Sequence, residues 1–443
     1  MRLRLVYDIV LSIIFAGFAV GATIRALFAG GNILEGWKSI TKELAQRLGY
    51  LPRADGHLQD RGQSIWIHAA SVGEVVAAKP IADEIQRLYP DYDLVFTTVT
   101  RAGYRMAQTT IKGAKVVTYV PVDISWVVRR FIKRVNPRLL VLLESEFWPN
   151  LITLTHAASG VVIVANRQMN DNSYNKHKRF QRSWLAIAKR GIDHFCVQSP
   201  RDKERLIDLG IQPDGITVTG NTKFDSLKPG GDNAQHSQRL LAEMKLAADD
   251  LVLVAGSTHA NEEEVIITAY RELSREFPQL VLILAPRHME RVADVDKLLA
   301  KFDLAVVRRS AIAKRNPDRD RVILLDTIGE LMAVYGLADI VFVGGSLVPV
   351  GGHNVLEPAA AGKAMLFGPH MFNFKDSVEL LLERQAALQV REEGEITPQI
   401  RELITNEAKR HQLGENARQF IEENRGAVAK TLRVIQSRFS HQG

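Results

Sequence analysis

Several ionisable side chains in this 443-residue sequence stand where an apolar run gives way to a turn, and their types can move a proton or hold an anion. Glu74 closes "HAASVGE", at the start of a helical pattern. There a carboxylate can accept a proton, or complete a capping box in which Ser71 caps the helix and Glu74 reaches back to the Ser71 N–H. Glu144 and Glu146, in "LLESEFWPN", lie two apart at a strand end and can face one side. Such a pair shifts its own pKa values or orients a cation. Lys223 in "GNTKFDS" is a cation at another strand end. Arg287, after Pro286 in "APRHMER", offers a fork for phosphate or carboxylate.

The stretch "VGGSLVPVGGHNVLEPAAAGK" (343 to 363) carries most information. The four glycines around its turn, Gly344, Gly345, Gly351 and Gly352, allow a backbone that runs close to a ligand, and Asn354 opens a helical pattern carrying Val355, Leu356 and Glu357. A loop of this kind suits a phosphate at a helix start, with Glu357 accepting from ribose hydroxyls. "GSTHANEEE" and the turn Ile328, Gly329 and Glu330 are further strand-to-helix junctions. Neither GK[ST] nor G-x-G-x-x-G is present, so a P-loop and a dinucleotide site are not indicated. His353 has no second ligand at metal spacing, and a hydrogen-bonding role is expected for it.

The elements that must position these groups are legible as a rhythm. From residue 65, β-rich runs ("SIWIHAA", "LVFTTVT", "KVVTYVP", "RLLVLLES", "GVVIVANR", "HFCVQS", "ITVTG") alternate with helical patterns. After "SLKPGGDNAQHS" the rhythm resumes with "LVLVAGS", "LVLILAPR", "LAVVRRS", "RVILLDT", "DIVFVGGS" and "AMLFGPH". Strands apolar on both faces imply βαβ units and parallel sheets. Two doubly wound α/β domains follow, with ligands expected at the carboxyl ends of the strands in the cleft between them. The expected division is 1–30 anchor, 31–225 first α/β domain, 226–240 linker and 241–443 second α/β domain, whose last helix could return to the first. "DYD" at 91 to 93 precedes a strand and reads as a turn.

A formal charge of +7 favours an anionic partner: nucleic acid, acidic membrane or phosphorylated substrate. The one cysteine, Cys196, sits in an apolar run and reads as core. Residues 9 to 24, "IVLSIIFAGFAVGATI", are uncharged and follow a basic start, just short of the ~20 apolar residues of a bilayer span. An uncleaved anchor is expected. Ile33, Trp37, Ile40, Leu44 and Leu48 recur at helical spacing with Lys38, Lys42 and Arg47 between them. That pattern suits a helix on an anionic membrane or one packed on the domain. Residues 166 to 190 interleave Arg167, Lys176, Lys178, Arg179, Arg182, Lys189 and Arg190 with Tyr174, Phe180 and Trp184. Single-stranded nucleic acid or a phosphorylated amphiphile would suit them.

Six ordered motifs, "HAASVGE", "ESEFWPN", "GNTKFD", "PRHMER", "DTIGEL" and "FVGGSLVPVGGHNVLEP…GPHMFNFKD", resemble the Kdo transferases of bacterial lipopolysaccharide synthesis. Ala70, before the small-residue motif, departs from the family pattern but leaves Ser71, Gly73 and Glu74 in place. The resemblance implies a GT-B fold and an inverting, metal-independent glycosyltransferase without cofactor. Its reaction would move 3-deoxy-D-manno-octulosonic acid (Kdo) from CMP-Kdo to a lipid A precursor at the cytoplasmic face of the inner membrane. It implies Glu74 as general base and Glu144 and Lys223 as transition-state stabilisers. Pro286, Arg287, Ile328, Gly329, Glu330, Asn354, Val355, Leu356 and Glu357 would hold CMP. Such a reaction needs a base, stabilisation of positive charge on the sugar, and cations or N–H groups for the departing phosphate. The partners expected are the donor, the phosphorylated acceptor and membrane lipid, with no nucleic acid, and Glu74 is expected to point into the cleft. The alternative is another GT-B nucleotide-sugar enzyme, a different transferase or an epimerase. A non-enzymatic lipid- or RNA-binding module would leave the acids and the glycine-rich loop unexplained.

Overall fold

In the computed structural model, residues 2–28, 33–52, 63–144, 147–227 and 232–439 are described. They form two compact units: Met1–Ser226 with Arg425–Gly443, and Leu227–Asn424.

The first unit is built on a seven-stranded parallel sheet. Its strands are β1 (Ser64–His68), β2 (Asp93–Thr98), β3 (Val116–Tyr119), β4 (Pro137–Leu143), β5 (Val161–Arg167), β6 (His194–Val197) and β7 (Ile216–Val218), in the order β3-β2-β1-β4-β5-β6-β7. Alternate side chains of one strand enter different cores. Ile65 and Ile67 pack with Val75, Val141 and the helix Ala427–Phe439, whereas Trp66 packs with Val95, Leu140 and Phe131. Both sheet faces are therefore covered, which is why the strands read as unbroken apolar runs. Truncating a residue such as the wholly buried Ile67 to alanine costs about 2–5 kcal/mol.

The second unit repeats the plan: β8 (Leu251–Thr258), β9 (Leu280–Pro286), β10 (Val306–Arg308), β11 (Val322–Leu324), β12 (Ile340–Val343), β13 (Ala364–Phe367) and β14 (Leu388–Gln389). Their order is β10-β11-β9-β8-β12-β13-β14, all parallel. The thirteen longer strands match the runs read from the sequence. β14, two residues long, carries too little pattern to be seen.

One expectation needs correction. Much of the stretch read as a linker is helix, Asp232–Glu243, and the chain leaves the first unit at Ser226. It re-enters at Arg425, the return of the last helix that the expected division allowed for, so the first unit is not continuous in sequence.

At the N-terminus, helix α1 (Arg2–Phe28) precedes α2 (Ile33–Arg47). The second half of α2 packs through its polar residues: Glu43 and Gln46 are buried, Arg101 bonds Glu43 at 2.7 Å, and Arg47 donates to the Val99 carbonyl at 2.7 Å. That half of α2 is thus a domain helix, while Trp37 stays exposed. Cys196 is buried, and burial pushes its thiol up to about 12.

Candidate active site

Three residues separate the end of β1 from helix α3 (Val72–Leu88). Ser71, extended at φ −120°, caps it by accepting the Glu74 N–H, at 3.4 Å. The Glu74 carboxylate folds back on this turn: one oxygen accepts the Ala70 N–H at 2.8 Å, the other the Ser71 hydroxyl at 3.3 Å. Both the expectation that it points away from its turn and the standard capping box are corrected. The backbone donor is Ala70, one residue before the cap, because the strand-to-helix turn brings that N–H under the helix start. Glu74 is 8% exposed.

Glu144 follows β4 directly and adopts φ +53°. This left-handed conformation is uncommon for a non-glycine residue and is held here from several sides. Its N–H donates to the Ala165 carbonyl at 2.9 Å, and its carbonyl accepts from Arg167 at 3.1 Å. The carboxylate meets the Lys223 ammonium at 2.8 Å and accepts from the Asn166 amide at 3.3 Å. Asn166, also left-handed at φ +55°, turns its amide oxygen to the Thr222 N–H at 2.9 Å. The Thr222 hydroxyl donates to the Ala77 carbonyl in α3 at 2.9 Å. Glu144 and Lys223 are thus brought together, and a short relay ties them to the helix that carries Glu74. Glu146 lies outside the described residues.

The sequence reading missed Asn166 and Thr222. A signal existed for the first, since asparagine ending the apolar run "VVIVAN" is a residue type that tolerates positive φ. Arg167 was read as part of a basic surface, yet it is buried and bonds Glu144 and His177. Burial, aided by the Arg167 charge, holds His177 down to about 4.

In the second unit the turns after β9, β8, β12 and β11 all lie at the carboxyl edge of the sheet. Pro286 ends β9, and the Arg287 N–H is held by the Thr258 carbonyl at 2.9 Å, leaving an exposed guanidinium. Asn354 donates to Glu357 at 3.0 Å and accepts the Leu356 N–H at 3.1 Å. Burial raises the Glu357 carboxyl, against the Asn354 bond and the Arg287 charge that favour its ionised form. Val355 and Leu356 are buried, so backbone rather than side chain is what they can offer a ligand. Glu330 pairs instead with Arg309 at 2.9 Å; burial alone would raise its carboxyl, but Arg309 and Thr327 hold it down. Next to it Ile328 is 86% exposed and Gly329 adopts φ +89° with open space around it.

The glycine-rich loop differs from expectation in one respect. Its first N–H groups, Gly345, Ser346 and Leu347, donate to the carboxylate of Glu262 at 2.7, 2.8 and 2.9 Å. The His259 N–H joins them at 2.9 Å, and Glu262 is wholly buried. An internal anion fills the concavity read as a phosphate cradle. That frees only the later part, near Asn354, for an outside anion. His353 stacks on His259 with their Nε2 atoms 2.8 Å apart, and burial together with Arg287 lowers it to about 4. Among the described residues no cluster of three or more His, Cys, Asp or Glu is placed to hold a metal ion.

Comparison with known proteins supplies the family context. A family model described as 3-deoxy-D-manno-octulosonic-acid transferase (kdotransferase) matches residues 42–226. A 3-deoxy-D-manno-octulosonic acid transferase of Haemophilus influenzae is 34% identical over 396 residues, 89% of this chain and 91% of the relative. One of Chlamydophila psittaci is 31% identical, over 78% of each chain. A solved glycosyltransferase from Rickettsia africae is similar in fold, with a TM-score of 0.54 at 13% identity over 85% of this chain and 98% of that one.

Proposed function

The chain belongs to the 3-deoxy-D-manno-octulosonic acid transferase family, and from that premise we propose that it transfers Kdo from CMP-Kdo to a lipid A precursor with inversion at the anomeric carbon. The first unit takes the acceptor and the second the donor, at the cytoplasmic face of the inner membrane. Glu74 is the general base: the 2.8 Å bond from Ala70 N–H orients the carboxylate. The longer, weaker Ser71 contact at 3.3 Å is the one an acceptor hydroxyl replaces. As that hydroxyl oxygen bonds to the anomeric carbon, its proton passes to Glu74 and the bond to the CMP phosphate breaks. A positioned base of this type contributes about 10²–10⁴ in rate.

The observation that carries the reading is the Glu144–Lys223 pair, held by Asn166 and coupled through Thr222 to the helix of Glu74. Glu144 faces the positive charge that develops on the sugar, and Lys223 the anionic groups of the donor. Arg287 and the backbone at Asn354 to Glu357 hold CMP, with Pro286 and the Ile328–Glu330 turn beside them. No metal enters this scheme, and activity should persist in excess EDTA.

The test is incubation of the purified chain with CMP-Kdo and a lipid A precursor, followed by mass spectrometry. One or more Kdo additions are expected. Intact acceptor after prolonged incubation would refute the reading. Glu74→Gln should lose transfer while binding CMP as the wild type does, and wild-type turnover in that variant would remove Glu74 from the base role.

A further inference from the structure

α1 has the length and composition to cross a bilayer over Arg4–Gly21, yet its side chains are arranged otherwise. Residues 4, 7, 8, 11, 15 and 19 are half-buried, a stripe at helical spacing, while Leu5, Val6, Ile9, Val10, Ile13, Ile14, Phe18 and Val20 are exposed. The helix is held near both ends. At the first, Tyr7 donates to Asp123 at 2.9 Å, Asp8 accepts the Ser125 N–H at 3.0 Å and the Asn150 amide at 2.8 Å, and Arg4 donates to Asn150 at 2.6 Å. At the other, the Arg47 guanidinium, on a helix itself pinned to the first unit, lies 5.7 Å from the ring of Phe18, a residue of the exposed side. Along an α-helix these fastenings are on the order of 20 Å apart. A span would carry the attached surface, with its buried Asp123 and Asn150, into hydrocarbon where polar groups are costly.

We propose that α1 lies in the plane of the membrane, half-sunk by its exposed apolar face, and that it spans nothing. The neighbouring helix Ser125–Val135 extends the contact. Trp126, Arg129, Arg130, Lys133 and Arg134 recur on its outer side, with Trp126 51% exposed. Arg130 lies over the Trp126 and Tyr50 rings, and Arg134 over Tyr50. A broad apolar face bordered by cations and interfacial aromatics is complementary to anionic lipid headgroups. Asp123 and Asn150 follow β3 and β4, so this seat is at the same carboxyl edge of the sheet as Glu144. The inference rests on the membrane reading above but not on the chemistry of transfer.

The experiment places an environment-sensitive thiol label at Val6→Cys, Ile9→Cys, Ile13→Cys or Val20→Cys in the full chain, where Cys196 is buried. Depth is read with lipids brominated at shallow or deep acyl positions, in phosphatidylethanolamine–phosphatidylglycerol vesicles. Similar shallow depths at all four sites are expected. A profile that is deepest at Ile13 and shallow at both ends describes a span and overturns the inference while leaving membrane binding intact. No association with these vesicles overturns both. Shielding of the labels without lipid quenching, with concentration-dependent size, assigns the face to a second copy and also overturns it. Lys133→Ala should weaken partitioning onto the anionic vesicles about fivefold, the ~1 kcal/mol of one basic residue near such a surface, with little change on phosphatidylcholine. Equal loss on both lipids would remove the electrostatic part.

Discussion

Replacing Glu262 by glutamine changes one oxygen to an amide nitrogen, and the structure makes this a severe change. One carboxylate oxygen accepts the Ser346 and Leu347 N–H groups, the other those of His259 and Gly345. Glutamine keeps an acceptor for only one of these pairs and turns an NH₂ onto two buried donors. A buried donor that loses its acceptor costs about 1–3 kcal/mol, so the pair costs roughly 2–6 kcal/mol. In a unit of about 200 residues that lowers Tm by roughly 5–20 °C. Alanine strips all four donors but leaves room for water, so Glu262→Ala should fall in a similar range. The assay is scanning calorimetry of the full chain with and without CMP. The transition of the second unit should drop in both variants, and CMP should restore less of it than in the wild type. The result that refutes the reasoning is Glu262→Gln melting within about a degree of the wild type while Glu262→Ala falls, because N–H groups bound to a carboxylate cannot be served by an amide.

Lys223→Met and Glu144→Gln should each lower kcat about 10²-fold or more, the usual loss when one preorganised charge is removed from a reacting centre. The double variant should lose little beyond either single one, since the charges are 2.8 Å apart; multiplicative losses would show that they act separately. Asp123 gives a pH dependence. Burial raises its folded carboxyl from 3.8 to about 7, against N–H bonds from Asn150 and Leu151. Folded protein thus holds a proton that unfolded chain has released. The associated stability is full below 3.8 and is lost as pH rises through about 7. Denaturation between pH 5 and 8 should show the first unit weakening with pH, and Asp123→Asn should flatten that slope; an unchanged slope would place the titration elsewhere.

The parallel sheets were legible because strands covered on both faces are written as continuous apolar runs, and the acids and cations at their ends could be named from the same signal. What could not be read is which partner each charge takes. Glu262 looks like one member of "NEEE", a solvated helix start, yet it is buried, as Glu263 beside it is, and it is Glu262 to which the chain returns its 345–347 turn 83 residues later. Glu74 was misjudged at closer range: a carboxylate at a helix start has several N–H groups within reach, and sequence spacing does not distinguish Ala70 from Ser71. α1 shows the same limit in apolar form. Its hydropathy reports length and composition, whereas the half-buried stripe depends on Asp123 and Asn150, more than a hundred residues away.

The return of the chain to its first unit has a consequence for biosynthesis. Helix Ala427–Phe439 supplies Val428, Leu432, Ile435 and Phe439 to the core beneath β1, and Asp225 fastens it by accepting the Gly426 and Val428 N–H groups at 2.6 and 2.7 Å. Everything between Ser226 and Arg425 is therefore translated while one face of the first sheet lacks its last cover. At ~5–20 residues per second that interval lasts roughly 10–40 s. During it nearly all of the second unit is made, and the N-terminal apolar helix is already out and able to find lipid. The domain begun first is thus closed by residues made some two hundred positions later.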